Sequence, residues 1–528
     1  MHSEGENLPD DIQELKGIIA SFADENRRYA QENRQYEKEN KLLREQLLLM
    51  RSKLFGRKTE KLPSAEGVIQ EILFDEPAEE GSEESCRKEP LIEVPAHTRK
   101  KRGRKPLPSD LPRVEVIHDL KEEDKVCGCG CKMDRIGEET SEQLDIIPAK
   151  MQVIRHIRYK YACKECGGAD SEGPAVKIAP VPEQIIPKSI ATPGLLAFIF
   201  TGKFVDAVPF YRQEKQFERL GVDLNRTSMS CWAMKVAEQC TPLMDLLRNE
   251  ILSGPLINMD ETAVQVLGEQ DRANHSKSYM WVIRGGPPGK PALMYQYHPS
   301  RSGEVAKKFI KGYRGYVQTD GYTGYDFLDD QSEIVHVGCW AHARRKFMEV
   351  IQAQGKNRKA GSADVALDYI RKLYAIEKDA RARELGPDDL FLERQEKAKP
   401  ILSEFKAWLD KKGLQTPPKG LLGKAVAYTL GQWERLARYV DSGLLTPDNN
   451  LAENAIRPFV VGRKNWMFSG NPEGAQASAA LYSLIETAKA NGLEPYHYLH
   501  QLFERLPLAY TVEDYKALMP QYIDPTNF

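Results

Sequence analysis

The sequence predicts a multidomain α+β protein, and three patterns along its 528 residues predict it. A heptad repeat occupies the first 60 residues, a cysteine cluster follows a polar linker, and a run of short apolar strands begins after residue 254. A chain of this length exceeds one ordinary hydrophobic core. The predicted order is an N-terminal coiled coil, a zinc ribbon, a helical segment and an α/β core with a helical insertion.

The composition excludes some classes of protein and restricts others. Lys and Arg number 75 against 77 Asp and Glu, so any binding of nucleic acid must be local. No apolar run approaches the roughly 20 residues of a membrane span, and the start has no basic and apolar signal pattern. We therefore expect no membrane and a cytoplasmic location. There, nine cysteines favour metal ligation or burial over disulfides.

Residues 1–60 are predicted to form a leucine-zipper-like coiled coil. Apolar side chains recur at alternating spacings of three and four from residue 12 to 54, which is a heptad seam. Asn26, Asn33 and Asn40 occupy successive a positions, where asparagine fixes register and favours a parallel dimer. We expect a homodimer or a higher oligomer. The alternative is a single amphipathic helix that lies on its own protein.

Residues 61–107 are predicted to form an acidic linker that ends in a basic run. The acidic part is rich in Glu, Ser and Pro and lacks periodicity. The run RKKRGRKP then places Arg102, Arg104 and Lys105 beside Gly103, a pattern similar to an AT-hook. Extended arginines of that kind enter the narrow minor groove of A·T-rich DNA. A solvated basic linker is the alternative.

Residues 108–185 are predicted to form a zinc ribbon, in which four thiolates bind one structural Zn²⁺. The candidate ligands are Cys127, Cys129, Cys163 and Cys166. The pair Cys163 and Cys166 has regular zinc spacing, whereas Cys131 competes with Cys129 in the first half. Such a closed site stabilises its module and does no chemistry. Buried free thiols are the alternative.

Residues 186–250 are predicted to be a helical DNA-binding segment. The stretch YRQEKQFERLGVDLNRTSMSCWAMKVAEQ contains a helix, a turn around Gly221 and a second helix that begins near Arg226. This pattern suggests a helix-turn-helix, with Arg226 as a candidate DNA contact. Two packed helices of a bundle are the alternative.

Residues 251–354 are predicted to form the first part of an α/β core with five short strands. Two of the strands lead from apolar residues to one acid, LINMD to Asp260 and YVQTD to Asp320. Such acids lie where a buried sheet meets solvent, and two strands of one sheet could bring them together. Two carboxylates at such a short distance repel each other. Mg²⁺ relieves this repulsion, because it prefers carboxylate, water and phosphate oxygens as ligands.

A third acid, Glu453, lies in TPDNNLAENAIRP at 446–458. This stretch predicts a helix that is capped by Thr446 and ends at Pro458. A helix packed over the sheet would carry Glu453 to the two aspartates. The expected domains after the first part of the core are a helical insertion at 355–440, the second part of the core with the Glu453 helix at 441–490, and a C-terminal helical segment at 491–528.

The order of these motifs resembles a DDE transposase with an RNase H-like catalytic core, and more narrowly the insertion-sequence-66 family. The resemblance rests on INMDET, VQTDGYTGY, GCWAHARRKF and DNNLAENAIRPFVVGRKNWMFSG, together with the zinc motif, the heptads and KLFGRKTEK. It implies that Asp260, Asp320 and Glu453 are a catalytic triad that binds two Mg²⁺ (or Mn²⁺) ions.

The resemblance also implies a function and partners. The expected protein is the transposase of a bacterial insertion sequence, which binds terminal inverted repeats and target DNA, cleaves the ends and joins them to the target. Association with the nucleoid and accessory proteins of the same element are expected too. A related nuclease or resolvase with an RNase H-like core is one alternative. A catalytically inactive DNA-binding regulator is the other.

Several further side chains are candidates at or near the site. Basic and aromatic residues that flank the acidic helix or follow the last strand are candidate DNA contacts. They are Arg344, Arg345, Arg457, Arg463, Lys464 and Trp466. For the last three, a surface turn with a buried tryptophan is the alternative.

Four other residues near the acids are not assigned as ligands of the magnesium ions. His336, Cys339 and His342 have the spacing of metal ligands, but we interpret Cys339 and His342 as packing or supporting residues. Glu261 points to the opposite face of its strand from Asp260 and is therefore left out of the triad.

Overall fold

The computed structural model describes five parts of the chain: residues 12–55, 113–115, 150–162, 176–354 and 360–524. The chain divides into two compact units, one made of 1–72 with 158–528 and the other of 73–157. The predicted zinc ligands, from Cys127 to Cys166, lie outside the described residues, and so do Arg102, Arg104 and Lys105.

Helices dominate the first of these units. They are α1 (Ile12–Phe55), α2 (Pro193–Phe204), α3 (Phe210–Arg219), α4 (Arg226–Gln239), α5 (Thr241–Ser253), α6 (Gly303–Phe309), α7 (Trp340–Gln354), α8 (Ser362–Ala382), α9 (Pro387–Glu393), α10 (Lys399–Gln415), α11 (Leu421–Gly431), α12 (Trp433–Ala437), α13 (Asn450–Trp466), α14 (Pro472–Ala490), α15 (Pro495–Arg505) and α16 (Val512–Ala517). Within the described ranges, none of the helices has both the length and the apolarity that crossing a bilayer requires.

The strands form a small hairpin and one larger mixed sheet. They are β1 (Lys160–Ala162), β2 (Val176–Ile178), β3 (Leu256–Val266), β4 (Lys277–Gly285), β5 (Ala292–His298), β6 (Gly315–Gln318), β7 (Ile334–Val337) and β8 (Phe468–Ser469). The hairpin pairs β1 with β2. The larger sheet has the order β5-β4-β3-β6-β7, and the short β8 also pairs with β3.

The predicted mixed α+β class and the five core strands are confirmed. β3, β4 and β5 are antiparallel neighbours, whereas β3, β6 and β7 are parallel. At the β5 edge, the backbone N–H groups of Leu293 and Tyr295 donate to the hydroxyls of Thr487 and Ser483 on α14. Helix α14 therefore covers an edge whose ladder groups would otherwise be open.

The helices before the sheet include the predicted pair with a turn between them. α3 and α4 are joined through Gly221, whose φ of 80° needs the freedom of glycine. Asn225 caps α4 by accepting from the N–H of Ser228 at 2.8 Å. The side chain of Trp232 is buried.

The helices between α7 and α13 are tied to the core by a buried arginine. Arg394 is fully buried and pairs with Glu377 of α8 at 2.7 Å. It also donates to the carbonyls of Tyr439, Ser442 and Leu445, in the segment that leads to α13. The position of α13 thus depends on the helical insertion.

The predicted boundaries of the Glu453 helix are wrong at both ends. The helix begins at Asn450, because the hydroxyl of Thr446 bonds the carbonyl of Asp448 instead of capping a helix that starts at Pro447. It also continues through Pro458 to Trp466. Proline costs a helix interior about 3 kcal/mol. Tertiary packing offsets this cost, since the next side chain, Phe459, is fully buried.

Helix α1 leaves its heptad seam open. It packs against α7, and Leu42, Gln46 and Leu49 on that side are partly buried. Apolar seam residues stay between 49% and 68% exposed. They are Ile12, Ile19, Phe22, Tyr29, Tyr36, Leu43, Leu47 and Met50. The helix therefore lies on its own protein through one face and offers the seam on another.

Candidate active site

The sheet brings Asp260 and Asp320 side by side. β3 and β6 are parallel, and Asn258 is in register with Gln318. Each aspartate comes two residues after the amide of its own strand, so both lie at the same level and on the same face as these amides. Asp260 lies inside β3, which continues to Val266, and not at a strand end as predicted, whereas Asp320 lies just beyond the end of β6. The structure thus brings together the two predicted aspartates.

Glu453 joins them from the first turn of α13, which packs on β3. Burial raises the pKa of Asp260 well above its usual value, and the negative charges of Glu261, Asp320 and Glu453 raise it further. A hydrogen bond from the N–H of Glu261 opposes this shift. Asp260 therefore lies close enough to the other two predicted acids for their charges to raise its pKa, as expected for acids that share a cation.

A buried amide network supports these acids from behind. Asn258 donates from one Nδ2 to Gln318 Oε1 and to Asn449 Oδ1, both at 3.1 Å. Asn449 in turn donates to the carbonyl of Met259 at 2.8 Å. The three amide side chains are at most 1% exposed. The network joins the two aspartate strands to the residue that precedes α13.

Gln318 extends the same network to the two chain segments around it. Its Nε2 donates to the carbonyls of Gly338 and Thr446, and the hydroxyl of Thr446 donates back to its Oε1. We did not predict Asn258 and Gln318 as site residues. The available signal was an amide two residues before each aspartate, inside an otherwise apolar strand.

Glu261 lies on the other face of β3 with its own partners. Its carboxylate accepts from Nε and Nη2 of Arg301, at 2.7 and 2.6 Å, and from the hydroxyl of Tyr325. The guanidinium of Arg301 also lies 3.8 Å from the ring centre of Tyr322. Glu261 is thus neutralised by the protein. Arg301 was also not predicted, because it lies 40 residues away in the chain.

The turn after Asp320 is shaped by the helical insertion. The N–H of Tyr322 donates to Asp320 Oδ1 at 2.9 Å, which orients the carboxylate. A Cβ on Gly321 would lie only 2.3 Å from the hydroxyl of Tyr428 on α11. A glycine is therefore required for α11 to approach the aspartate this closely.

The three residues with metal-like spacing separate into two groups. His336 bonds Thr319 at 2.8 Å and Asp329 at 3.2 Å, and burial lowers its pKa to about 4. Cys339 and His342 instead lie beside Glu453, whose Oε1 is 3.8 Å from His342 Nδ1. Burial lowers the pKa of His342 as well. Two of the three are therefore neighbours of the third acid.

The candidate DNA contacts lie in different surroundings. Arg463 reaches β3, where its Nη1 donates to Thr262, two residues beyond Asp260. Trp466 packs against Phe459 with ring centres 5.4 Å apart, and Lys203 lies over its ring. Partly buried positions are occupied by Arg344, Arg345 and Arg457, and exposed ones by Arg226 and Lys464.

Comparison with known proteins identifies the family. The model described as "Transposase IS66 family" matches residues 188–477, which is more than half of the chain and includes all three acids. The chain belongs to this insertion-sequence-66 transposase family. The match spans the mixed sheet, the helical insertion and α13, so this family's core is the part that holds the candidate active site.

Three further models of the same family cover other parts. A "zinc-finger binding domain of transposase IS66" matches 124–167, which supports a structural zinc, and an "IS66 C-terminal element" matches 483–521. A model described as "Transposase C of IS166 homeodomain", with a leucine-zipper label, matches 42–116.

Relatives of this insertion-sequence-66 chain occur in Sinorhizobium fredii. The uncharacterized protein y4jD is 34% identical over 78% of this chain and 81% of its own length. The uncharacterized protein y4hP is 29% identical over 78% of this chain and 76% of its own. No solved structure matches the chain.

Proposed function

We propose that the protein is a DDE transposase that cleaves the terminal inverted repeats of its element and joins them to target DNA, with Asp260, Asp320 and Glu453 as its catalytic triad. The observation that carries this proposal is the convergence of the three acids, two from registered strands and one from α13. Family membership gives the reaction class.

The core is proposed to be RNase H-like. The sheet order supports this, because three antiparallel strands are followed by two that run parallel to the first of them. In this arrangement β3 is central and carries Asp260, and Asp320 lies two residues beyond the end of β6 beside it. The helices from α8 to α12 then form an insertion between β7 with α7 and the Glu453 helix.

Two Mg²⁺ (or Mn²⁺) ions are proposed to bind between the acids. The donor set fits, since hard divalent cations take carboxylate oxygens. Burial and the charges of neighbouring acids raise the pKa of Asp260, so a bound cation would stabilise its charged form. When bound, such ions activate water or a DNA 3′-hydroxyl and stabilise the leaving oxygen. Asp260, Asp320 and Glu453 would hold the ions, with Asp260 contributing to both.

The remaining residues hold this arrangement and bind DNA. The network of Asn258, Gln318 and Asn449 fixes the distance between strands and helix. Arg463, held against β3 beside the acids, is proposed to neutralise a DNA phosphate. The exposed seam of α1 is proposed to pair with a second copy as a parallel coiled coil, since its apolar residues are 49–68% exposed in the part of the chain that the structure describes.

The test is incubation of the full chain with DNA that carries the inverted repeats of its element, with and without Mg²⁺. We expect nicking and strand joining by the wild type. Asp260→Ala should reduce both by at least about 10²-fold, since loss of one charge-stabilising group in an active site costs about 10²–10³. Binding to the repeats should persist. Glu473→Ala, which alters an exposed glutamate on α14, is the matched control and should stay active.

The alternatives give different results in the same assay. Nicking without joining would identify a nuclease or resolvase. Binding without nicking by the wild type would identify an inactive regulator. Full cleavage by Asp260→Ala would overturn the assignment of the triad.

A further inference from the structure

Cys339, His342 and Glu453 bring three kinds of metal ligand to one place. Cys339 directly precedes α7, His342 lies in the first turn of that helix, and Glu453 lies in the first turn of α13. One ligand atom from each lies within 4.8 Å of the other two. Within the described ranges, this is the one such group of three metal-ligating side chains.

A second observation points to a ligand at this place. Nδ1 of His342 is buried and, among the residues that the structure describes, has no hydrogen-bond partner. Its separation of 3.8 Å from Glu453 Oε1 is too long for a hydrogen bond. In a tetrahedral zinc site, bonds of 2.0–2.2 Å put nitrogen and oxygen ligands about 3.4 Å apart, and nitrogen and sulfur about 3.6 Å apart. The nitrogen–oxygen separation of 3.8 Å is close to this geometry, and the sulfur, within 4.8 Å of both atoms, would have to move closer.

Backbone N–H groups also donate hydrogen bonds to the sulfur of Cys339. The backbone N–H of Asn449 donates to Sγ of Cys339 at 3.2 Å. Burial raises the pKa of the Cys339 thiol to about 12, and the hydrogen bonds from the backbone N–H groups of Asn449 and His342 oppose this shift. A bound metal cation would therefore have to stabilise the thiolate. A thiolate, an imidazole and a carboxylate form a ligand set that selects zinc over magnesium, which takes oxygen ligands.

We propose that Cys339, His342 and Glu453 form a zinc-binding site, separate from the zinc ribbon, and that zinc bound there withdraws Glu453 from the magnesium ions. The fourth position of a zinc with three protein ligands stays open to water. Zinc binding depends only on these side chains. Its inhibitory consequence rests on the proposed function, because it requires Glu453 to be a magnesium ligand.

Zinc content of the full chain tests the site itself. After equilibration with zinc and removal of the excess, we expect about two ions per wild-type chain, one in the ribbon and one here. Cys339→Ser and His342→Gln should each retain about one, with affinity for the second ion lowered at least about 100-fold. Loss of a group that merely orients a ligand costs 10- to 100-fold. Cys240→Ser is the matched control, since Cys240 is equally buried and lies between α4 and α5; it should retain two.

Two outcomes would overturn the site. One is equal zinc content in Cys339→Ser, His342→Gln and Cys240→Ser. The other is loss of zinc from Cys339→Ser alone, because a true site needs the imidazole as well. Cobalt gives an independent readout, since a thiolate–cobalt absorption band should be weaker in Cys339→Ser than in Cys240→Ser.

The inhibition is measured separately, in the cleavage assay with Mg²⁺. Added zinc should inhibit the wild type at concentrations at least about 10-fold lower than those that inhibit His342→Gln. Equal inhibition of both would overturn the withdrawal of Glu453. A wild type that binds the second zinc but never cuts DNA would contradict the proposed function and leave the zinc site standing.

Discussion

Two neighbouring acids on opposite faces of strand β3 have opposite kinds of partner. Glu261 faces a cation that the protein supplies, Arg301, and a tyrosine hydroxyl. Asp260 faces two further acids, Asp320 and Glu453, and its pKa is raised by burial and by the charges of Glu261, Asp320 and Glu453. A buried acid without a protein cation is costly unless something else balances it.

This difference separates a structural acid from a candidate catalytic one. The Glu261 face is complete as folded, since the carboxylate has its ion pair and its hydrogen bonds. The Asp260 face is incomplete by the same measure, and cations from solution would complete it. Burial raises the pKa of both acids, so it is their partners that distinguish two residues next to each other in one strand.

The largest expected effect on stability comes from removing one charge on each face of β3, in Mg²⁺-free buffer. Asp260→Asn removes a repelling charge and should raise the thermal unfolding midpoint. Arg301→Met leaves Glu261, whose side chain is 1% exposed, without its cation and should destabilise the fold by about 3 kcal/mol. This is the low end of the range for buried pairs, because Arg301 is 41% exposed and partly screened. Calorimetry of both variants gives the comparison.

A double variant serves as the control for that experiment. Glu261→Gln together with Arg301→Met removes both charges and should recover most of the lost stability, since the uncompensated carboxylate is gone. If Arg301→Met had no effect, Glu261 would not depend on its cation. Destabilisation by Asp260→Asn would show that Asp260 is also held by protein contacts alone, and the contrast between the faces would fail.

Sequence patterns predicted the acids because the causes are local. Apolar residues that lead to one acid predict the end of a buried strand, and this holds for YVQTD, whereas β3 continues from Asp260 to Val266. Their adjacency then follows from one parallel register, Asn258 with Gln318. The partners of these acids have no local signal. Arg301 meets Glu261 only because a loop after β5 returns to β3.

The error at Pro458 has the same origin. The local rule ends a helix at proline, but α13 continues because Phe459 and Gly462 pack in the core. A Cβ on Gly462 would lie 2.5 Å from the hydroxyl of Tyr482, so that contact decides the helix path and cannot be read from the local sequence. The amide network is a similar case, since Asn449 meets Asn258 across 191 residues.

A smaller loss of stability is expected from a change in the buried amide network of Asn258, Gln318 and Asn449. Asn449→Ala removes the acceptor for Asn258 and the donor for the carbonyl of Met259, both buried. Each unsatisfied group costs about 1–3 kcal/mol, so we expect a loss of about 2 kcal/mol. Cleavage should fall about 10- to 100-fold through misplacement of Glu453, as misplaced groups do. Binding to the inverted repeats should be unchanged.

Its control keeps the fold and changes a neighbouring amide. Asn454→Ala alters an exposed asparagine on α13, five residues further along, and should leave both stability and cleavage near wild type. Equal losses in the two variants would mean that the buried network does not position the helix. A loss of stability in Asn449→Ala with full cleavage would limit the network to a structural role.

The smallest expected effect is on the pH dependence of folding stability, and it concerns only the Asp260 face of β3. Because its folded pKa is raised above its ordinary value of 3.8, the folded state keeps the Asp260 proton to higher pH than the unfolded chain does. In that interval the folded state binds more protons, so stability falls as pH rises. In Mg²⁺-free buffer, the wild type should therefore lose stability relative to Asp260→Asn as pH rises from about 4. Added Mg²⁺ should remove this difference, because the bound cation favours the charged carboxylate. Parallel stability curves for the two proteins without Mg²⁺ would show that the repulsion on this face is too weak to require a cation.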